Sequence, residues 1–115
     1  MMPPKTLRFL GEEKCLRLEY VTGERFDIPY ELLRVESPSA EVQGHGGHKP
    51  PPVTGKQDVG VVRAEPVGHY AVRIIFDDGH DSGLFTWEFL RELGGNLEER
   101  FASYRARVAE FQGRN

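Results

Sequence analysis

The sequence predicts a small α+β domain: an antiparallel sheet of about five or six strands, with helices on one side and a helix at the C-terminal end. Alternating apolar and polar residues predict the strands, and an apolar stripe predicts the last helix. One strand–turn–strand–helix plan occurs twice, as LEYVTGERFDIPYELLR at 18–34 and IIFDDGHDSGLFTWEFLR at 74–91, with Arg34 and Arg91 at matching positions. Two copies are too few for a solenoid, so they predict two ββα-like units packed together.

The first unit begins with short strand-like segments. The predicted strands are 5–10, 15–21 and 25–28, with a tight turn at 22–24. Pro29 suits the first position of a helix, where its missing N–H is not needed. The segment YELLRV at 30–35 therefore predicts a helix of about two turns, which Ser37-Pro38 ends.

The second unit repeats this order. The predicted strands are 59–67, 70–76 and 81–85, and Asp77-Asp78-Gly79-His80 is a hairpin turn. Thr86 is a suitable N-cap for a helix that continues to Leu93. The C-terminal helix is predicted over 97–112, because apolar residues recur there at three- and four-residue steps: Leu97, Phe101, Tyr104, Val108 and Phe111.

A long Gly/Pro-rich loop, residues 37–58, separates the two units. It has no hydrophobic period and contains a flexible GHGG stretch followed by three stiff prolines. Loops of this length inside a small domain are mostly either functional or disordered, and both alternatives stand.

Composition limits the function classes. The 115 residues predict a single domain over 1–115. The net charge of −3 comes from mixed charges without a basic stripe, so no nucleic-acid partner is expected. The one cysteine, Cys15, excludes an internal disulfide and fits a reducing, cytoplasmic compartment. No signal-peptide core and no long apolar run occur, so neither secretion nor a membrane association is expected.

Three histidines are candidate metal ligands. His80 lies at a turn between Asp78 and Asp81, where a carboxylate can orient an imidazole toward a metal; a solvated turn histidine is the alternative. His45 and His48, three residues apart on the flexible loop, are candidate ligands for a divalent metal such as zinc or iron. A disordered loop is the alternative, since ordering such ligands costs entropy.

Four residues are candidates for an interaction surface. Trp87 and Phe85 are either core residues or, if exposed beside the 37–58 loop, a binding hot spot. Lys49 and Lys56 are cations that can attract an acidic group to the loop. The sequence shows no Ser/His/Asp or Cys/His grouping and no His-x-Asp motif, so an enzyme is not expected.

The segments PYELLRVESPSAEVQGHG, KPPPVTGK and VGVVRAEPVGHYAVRIIFDDGHDSGLFTWEFLREL strongly resemble the bacterial domain of unknown function 971, the γ-butyrobetaine hydroxylase-like N-terminal domain, over residues 7–93. In the hydroxylases this domain precedes an iron- and 2-oxoglutarate-dependent catalytic domain and binds a structural zinc through three cysteines and a histidine. The resemblance aligns that histidine with His80 and the cysteines with about Ser37, Ser39 and Val42. The zinc-site cysteines are therefore absent here, as is the catalytic domain.

The resemblance implies a shared fold, with the start of the 37–58 loop close to His80. A similar domain is fused to Mrp-type ATPases that carry iron–sulfur clusters, which implies a protein partner among iron–sulfur assembly or carrier proteins or 2-oxoglutarate oxygenase systems. The expected function is thus a non-catalytic accessory or interaction domain. The alternative is a metal-binding domain with His80, His45 and His48 as ligands.

Overall fold

A computed structural model describes residues 3–38 and 52–113. In these residues the chain forms the elements β1 (Thr6–Leu10), β2 (Cys15–Glu19), β3 (Arg25–Pro29), α1 (Tyr30–Val35), β4 (Val61–Val67), β5 (Ala71–Phe76), β6 (Leu84–Thr86), α2 (Trp87–Gly95) and α3 (Leu97–Gly113). The predicted α+β class and the C-terminal helix are confirmed. No helix in this part of the chain combines the length and the apolar character that crossing a membrane requires.

The described strands form two three-stranded antiparallel sheets, β1–β2–β3 and β4–β5–β6, where the sequence predicted one sheet of five or six strands. Each sheet pairs strands that are neighbours in the sequence, so short connections are sufficient to complete both. Helix α2 contacts both β3 and β6 and so connects the two sheets. The repeated unit is therefore βββα, one strand longer than the ββα plan visible in the sequence.

The two hairpin turns have matching backbones. Gly23 and Gly79 both have a φ of +93°, which a residue without Cβ adopts without steric cost. The amide of Gly23 donates to the carbonyl of Tyr20 at 2.9 Å, and the amide of Gly79 donates to the carbonyl of Phe76 at 3.1 Å. The internal repeat in the sequence thus corresponds to a repeat in three dimensions.

One core joins both units, because apolar residues from the two sheets and from α1 and α2 pack together. The largest residues that are less than 2% exposed are Leu16, Leu18, Ile28, Leu32, Leu33, Ile74, Phe76, Phe85, Leu90 and Leu93. The opposite face of the first sheet is polar, with an ion pair of 2.8 Å between Arg17 and Asp27. Phe85 is 0% exposed, so it belongs to the core and does not contribute to an interaction surface.

The apolar stripe of α3 is only partly buried. Tyr104 is 6% exposed, and Leu97 and Phe101 pack against the core. Phe111, one of the predicted stripe residues, is 43% exposed. The core ends before the last turns of α3, so helical periodicity there does not correspond to burial.

Helix α2 and strand β3 pack closely together at Gly94. A Cβ atom at this position would lie 2.7 Å from the Cβ and Cγ atoms of Phe26. At Gly95, the next helical residue, no atom would lie within 4 Å of an added Cβ. Glycine at position 94 therefore permits the contact between α2 and the first sheet.

We predict that Gly94→Ala lowers the free energy of unfolding by about 1–3 kcal/mol, the usual cost of forcing an extra methyl into a packed contact. Gly95→Ala is the matched control and is expected to be neutral or slightly stabilising, because alanine is the better helix former. Urea denaturation of the two variants measures the difference. Equal stability of the two variants would contradict the assigned contact.

Candidate functional site

The turn at residues 77–80 is where the two ends of the 37–58 segment meet the second sheet. It follows β5, and its geometry is fixed by backbone bonds: the amide of Phe76 donates to the carbonyl of His80 at 2.9 Å. Within the turn, the amide of His80 donates to Oδ1 of Asp78 at 3.1 Å. The backbone of the turn is therefore rigid, and it fixes the directions of the Asp78 carboxylate and the His80 ring.

The carboxylate of Asp78 pairs with two cationic side chains from other parts of the chain. Its Oδ2 accepts from Nε of Arg34, in α1, at 2.8 Å and lies 2.6 Å from Nζ of Lys56. The Asp78 side chain is 19% exposed. Partial burial raises the pKa of this carboxyl, but its hydrogen-bond donors lower it more, so the pKa lies well below its usual range. Asp78 is an ionised anchor as well as the turn former that the sequence indicated.

The ring of His80 contacts the start of the 37–58 segment. Its Nε2 lies 3.0 Å from Oγ of Ser37, and its centroid lies 6.1 Å from that of Phe76. Gly83 is packed so closely on Ser37 that an added Cβ would overlap the hydroxyl. The prediction that the start of the segment lies near His80 is confirmed.

The two flanks of the 37–58 segment are thus held on one turn. Ser37, at its beginning, contacts His80, and Lys56, near its end, contacts Asp78. We call this group, Arg34, Ser37, Lys56, Asp78 and His80, the anchored turn. A hydrogen bond and an ion pair therefore fix the described residues on either side of positions 39–51 to the same turn.

The first hairpin turn has a corresponding but simpler arrangement. There Nη2 of Arg91, in α2, contacts Oε1 of Glu24 at 2.6 Å, while the guanidinium carbon lies 4.8 Å from the centroid of the Tyr20 ring. An arginine of each unit therefore contacts the turn of the other unit. The second turn differs because Ser37 and Lys56 also contact it.

The described residues do not by themselves fit a metal centre. Residues 3–38 and 52–113 contain no group of three or more His, Cys, Asp or Glu side chains arranged to hold a metal ion. At the anchored turn the possible ligands are one imidazole, one hydroxyl and the carboxylate of Asp78, which is already paired with Arg34 and Lys56, whereas structural zinc sites use thiolates and imidazoles. The other predicted ligands, His45 and His48, and the aligned positions Ser39 and Val42 lie outside the described residues.

The remaining predicted interaction residues differ in their surroundings. Trp87 is partly buried, and its Nε1 donates to the carbonyl of His69 at 2.7 Å, so the indole fixes the turn before β5. Lys56 is committed to the ion pair with Asp78. Lys49 lies outside the described residues. Reasoning from the sequence missed the role of Arg34, although its match with Arg91 in the repeat was a signal that both perform the same task.

Comparison with known proteins identifies relatives over most of the chain. The family model described as gamma-butyrobetaine hydroxylase-like, N-terminal, matches residues 7–91. A structure from Acidithiobacillus ferrooxidans, a protein of unknown function in the domain of unknown function 971 family, is 41% identical with a TM-score of 0.66, covering 79% of this chain and 91% of that chain. No curated protein matches.

Two solution structures determined by NMR are also similar. One is 47% identical with a TM-score of 0.80 and covers 95% of this chain and 86% of that chain. The other is 39% identical with a TM-score of 0.80, covering 96% of this chain and 82% of that chain. The fold, including α3, is therefore similar to that of experimentally determined relatives.

We predict that Asp78→Asn lowers the free energy of unfolding at neutral pH by about 1 kcal/mol, because the amide keeps the size of the side chain but loses the ion pairs. The wild-type advantage should be complete above the unfolded-state pKa of about 3.9 and disappear as the pH falls through the lower folded-state pKa. Asp81→Asn is the control, since the Asp81 side chain is 58% exposed and 3.9 Å from Arg73. Denaturation curves from neutral to acid pH measure this, and an advantage that persists undiminished in acid would contradict the anchor.

Proposed function

The chain belongs to the gamma-butyrobetaine hydroxylase-like, N-terminal family, and on that premise we propose that it is a non-catalytic accessory domain that binds a protein partner. The proposed surface is the 37–58 segment together with the anchored turn. This proposal rests on the geometry of the flanks more than on any single exposed side chain.

The supporting observation is that both flanks of the segment are fixed to the same turn, Ser37 by His80 and Lys56 by Asp78. A loop with closely placed ends loses less entropy when a partner orders it than a loop with free ends, because the closure is already in place. The anchors lie at the turn that follows β5, the central strand of the second sheet.

We extend the proposal to the class of partner from the family resemblance. Similar domains accompany 2-oxoglutarate-dependent hydroxylases and iron–sulfur carriers, so the proposed partner is an iron–sulfur assembly or carrier protein or a component of a 2-oxoglutarate oxygenase system. In this reading the chain supplies a binding surface, and the partner supplies the cofactor and its chemistry.

A second candidate function, a metal-binding domain, is favoured by one observation. Ser37, which the resemblance aligns with a zinc-binding cysteine, lies 3.0 Å from His80, which it aligns with the zinc-binding histidine. A divalent metal here, zinc or iron, would need His45 and His48 to complete the ligand set beside His80. Such a site would fix the two flanks more strongly than the hydrogen bond does.

The interaction proposal is tested by affinity capture from cells of the native source, followed by binding measurements with each purified protein that is captured. Replacing residues 39–51 with a Gly/Ser linker of equal length should abolish binding. Asp78→Asn should weaken it about tenfold, because the flanks lose their fixed spacing. Glu24→Gln is the matched control, since it removes the corresponding carboxylate of the first turn and should leave affinity unchanged.

Two results would count against this proposal. One is a set of captured proteins that bind the linker variant as tightly as the wild type. The other is an equal loss of affinity in Asp78→Asn and Glu24→Gln, which would indicate general destabilisation. Capture of iron–sulfur or oxygenase proteins supports the partner class, and capture of unrelated proteins that still require residues 39–51 refutes the class while supporting the surface.

The metal-binding candidate predicts that zinc chloride or ferrous iron at micromolar concentration shifts the imidazole NMR signals of His45, His48 and His80 together, with saturation near one equivalent. His80→Ala should remove this response. His69→Ala is the control, because His69 lies in a different turn and should leave it intact. Imidazole signals that do not shift, or that broaden without saturating, would refute the metal-binding candidate.

A further inference from the structure

Helix α3 contacts both flanks of the 37–58 segment. On the first flank, the carboxylate of Glu36 is 12% exposed and lies 3.0 Å from Nη2 of Arg107 and 3.6 Å from Nη1 of Arg100. On the second flank, the hydroxyl of Tyr104 donates to the carbonyl of Val53 at 2.5 Å. One helix therefore makes a polar contact on each side of the segment.

These contacts come from one face of α3. Residues 100, 104 and 107 follow the four- and three-residue steps that bring side chains to the same side of a helix. A helix is a rigid spacer, with a rise of about 1.5 Å per residue. Glu36 and Val53 therefore contact neighbouring turns of one rigid helix. The helix thus contributes to the distance between the two flanks.

The contact between α3 and the second flank is not close-packed. A groove of about 590 Å³ lies between them, lined on the flank by Thr54, Gly55 and Gln57 and on the helix by Phe101, Tyr104 and Val108. Across this groove, the hydrogen bond from Tyr104 joins the second flank to α3.

We infer that α3 is a bracket that, together with the anchored turn, sets the spacing between the two flanks, residues 36–38 and 52–57. The bracket lies beyond residues 7–91, the part that the family model matches. If the proposed function holds, linkage requires that a partner which favours the bracketed spacing also stabilises the docking of α3. The spacing itself is a property of the free protein and is testable without a partner.

The test measures the distance between spin labels at Pro38→Cys and Pro52→Cys by pulsed electron paramagnetic resonance, in a Cys15→Ala background. In the labelled protein with an intact α3, a single narrow distance distribution is expected. In the Glu36→Gln/Tyr104→Phe variant, which loses a contact on each flank, the distribution should widen at least about twofold. Ala102→Pro, which disrupts α3 at an exposed position, should widen it as well.

Ala102→Ser is the control, because it changes an exposed residue of α3 that does not line the groove, and it should keep the distribution narrow. Hydrogen exchange of α3 amides reports whether the helix has opened in Ala102→Pro. A distribution that stays narrow when α3 is open would overturn the bracket. If the distance measurements confirm the bracket but no partner requires residues 39–51 for binding, the proposed function is refuted and the bracket stands.

Discussion

The structure depends on the apolar core that the two βββα units share, because residues of both sheets and of α1 and α2 pack together there. Reciprocal polar contacts accompany this core, in which an arginine of each unit contacts a carboxylate in the hairpin turn of the other. Arg34 contacts Asp78, and Arg91 contacts Glu24. The two pairs differ in burial: the Arg34 and Asp78 side chains are 14% and 19% exposed, whereas those of Arg91 and Glu24 are 35% and 44% exposed. Solvent screening therefore weakens the second pair more.

That difference between otherwise matching turns indicates where the repeat has become specialised. Besides the contact with Arg91, the first turn makes a local contact, in which Oγ1 of Thr22 donates to Glu24 at 3.1 Å. The second turn receives Ser37 and Lys56 from the segment that joins the units. The two turns are therefore alike in backbone, but the second turn also contacts described residues on both sides of positions 39–51.

The sequence predicted the elements well and their assembly less well. Strand and helix positions follow from the period of apolar residues, which is a local property. Which strand edges pair is not recorded in that period, so the division into two sheets was not predictable from it. Asp78 was interpreted as a turn former because its ion-pair partner Arg34 is 44 residues away in the chain. The proximity of Ser37 and His80 was predicted from the family resemblance, since no spacing rule connects them.

Among the described residues the flanks are held by several weak contacts of different kinds. A hydrogen bond joins Ser37 and His80, and an ion pair joins Lys56 and Asp78. A further hydrogen bond joins Tyr104 and Val53. Such contacts contribute on the order of 1 kcal/mol each, whereas a structural zinc contributes roughly 10–16 kcal/mol in small zinc-dependent domains. Weak contacts can be lost singly without unfolding the core that joins the sheets. Each contact at the flanks can therefore be removed by a single substitution while the core that joins the sheets stays intact.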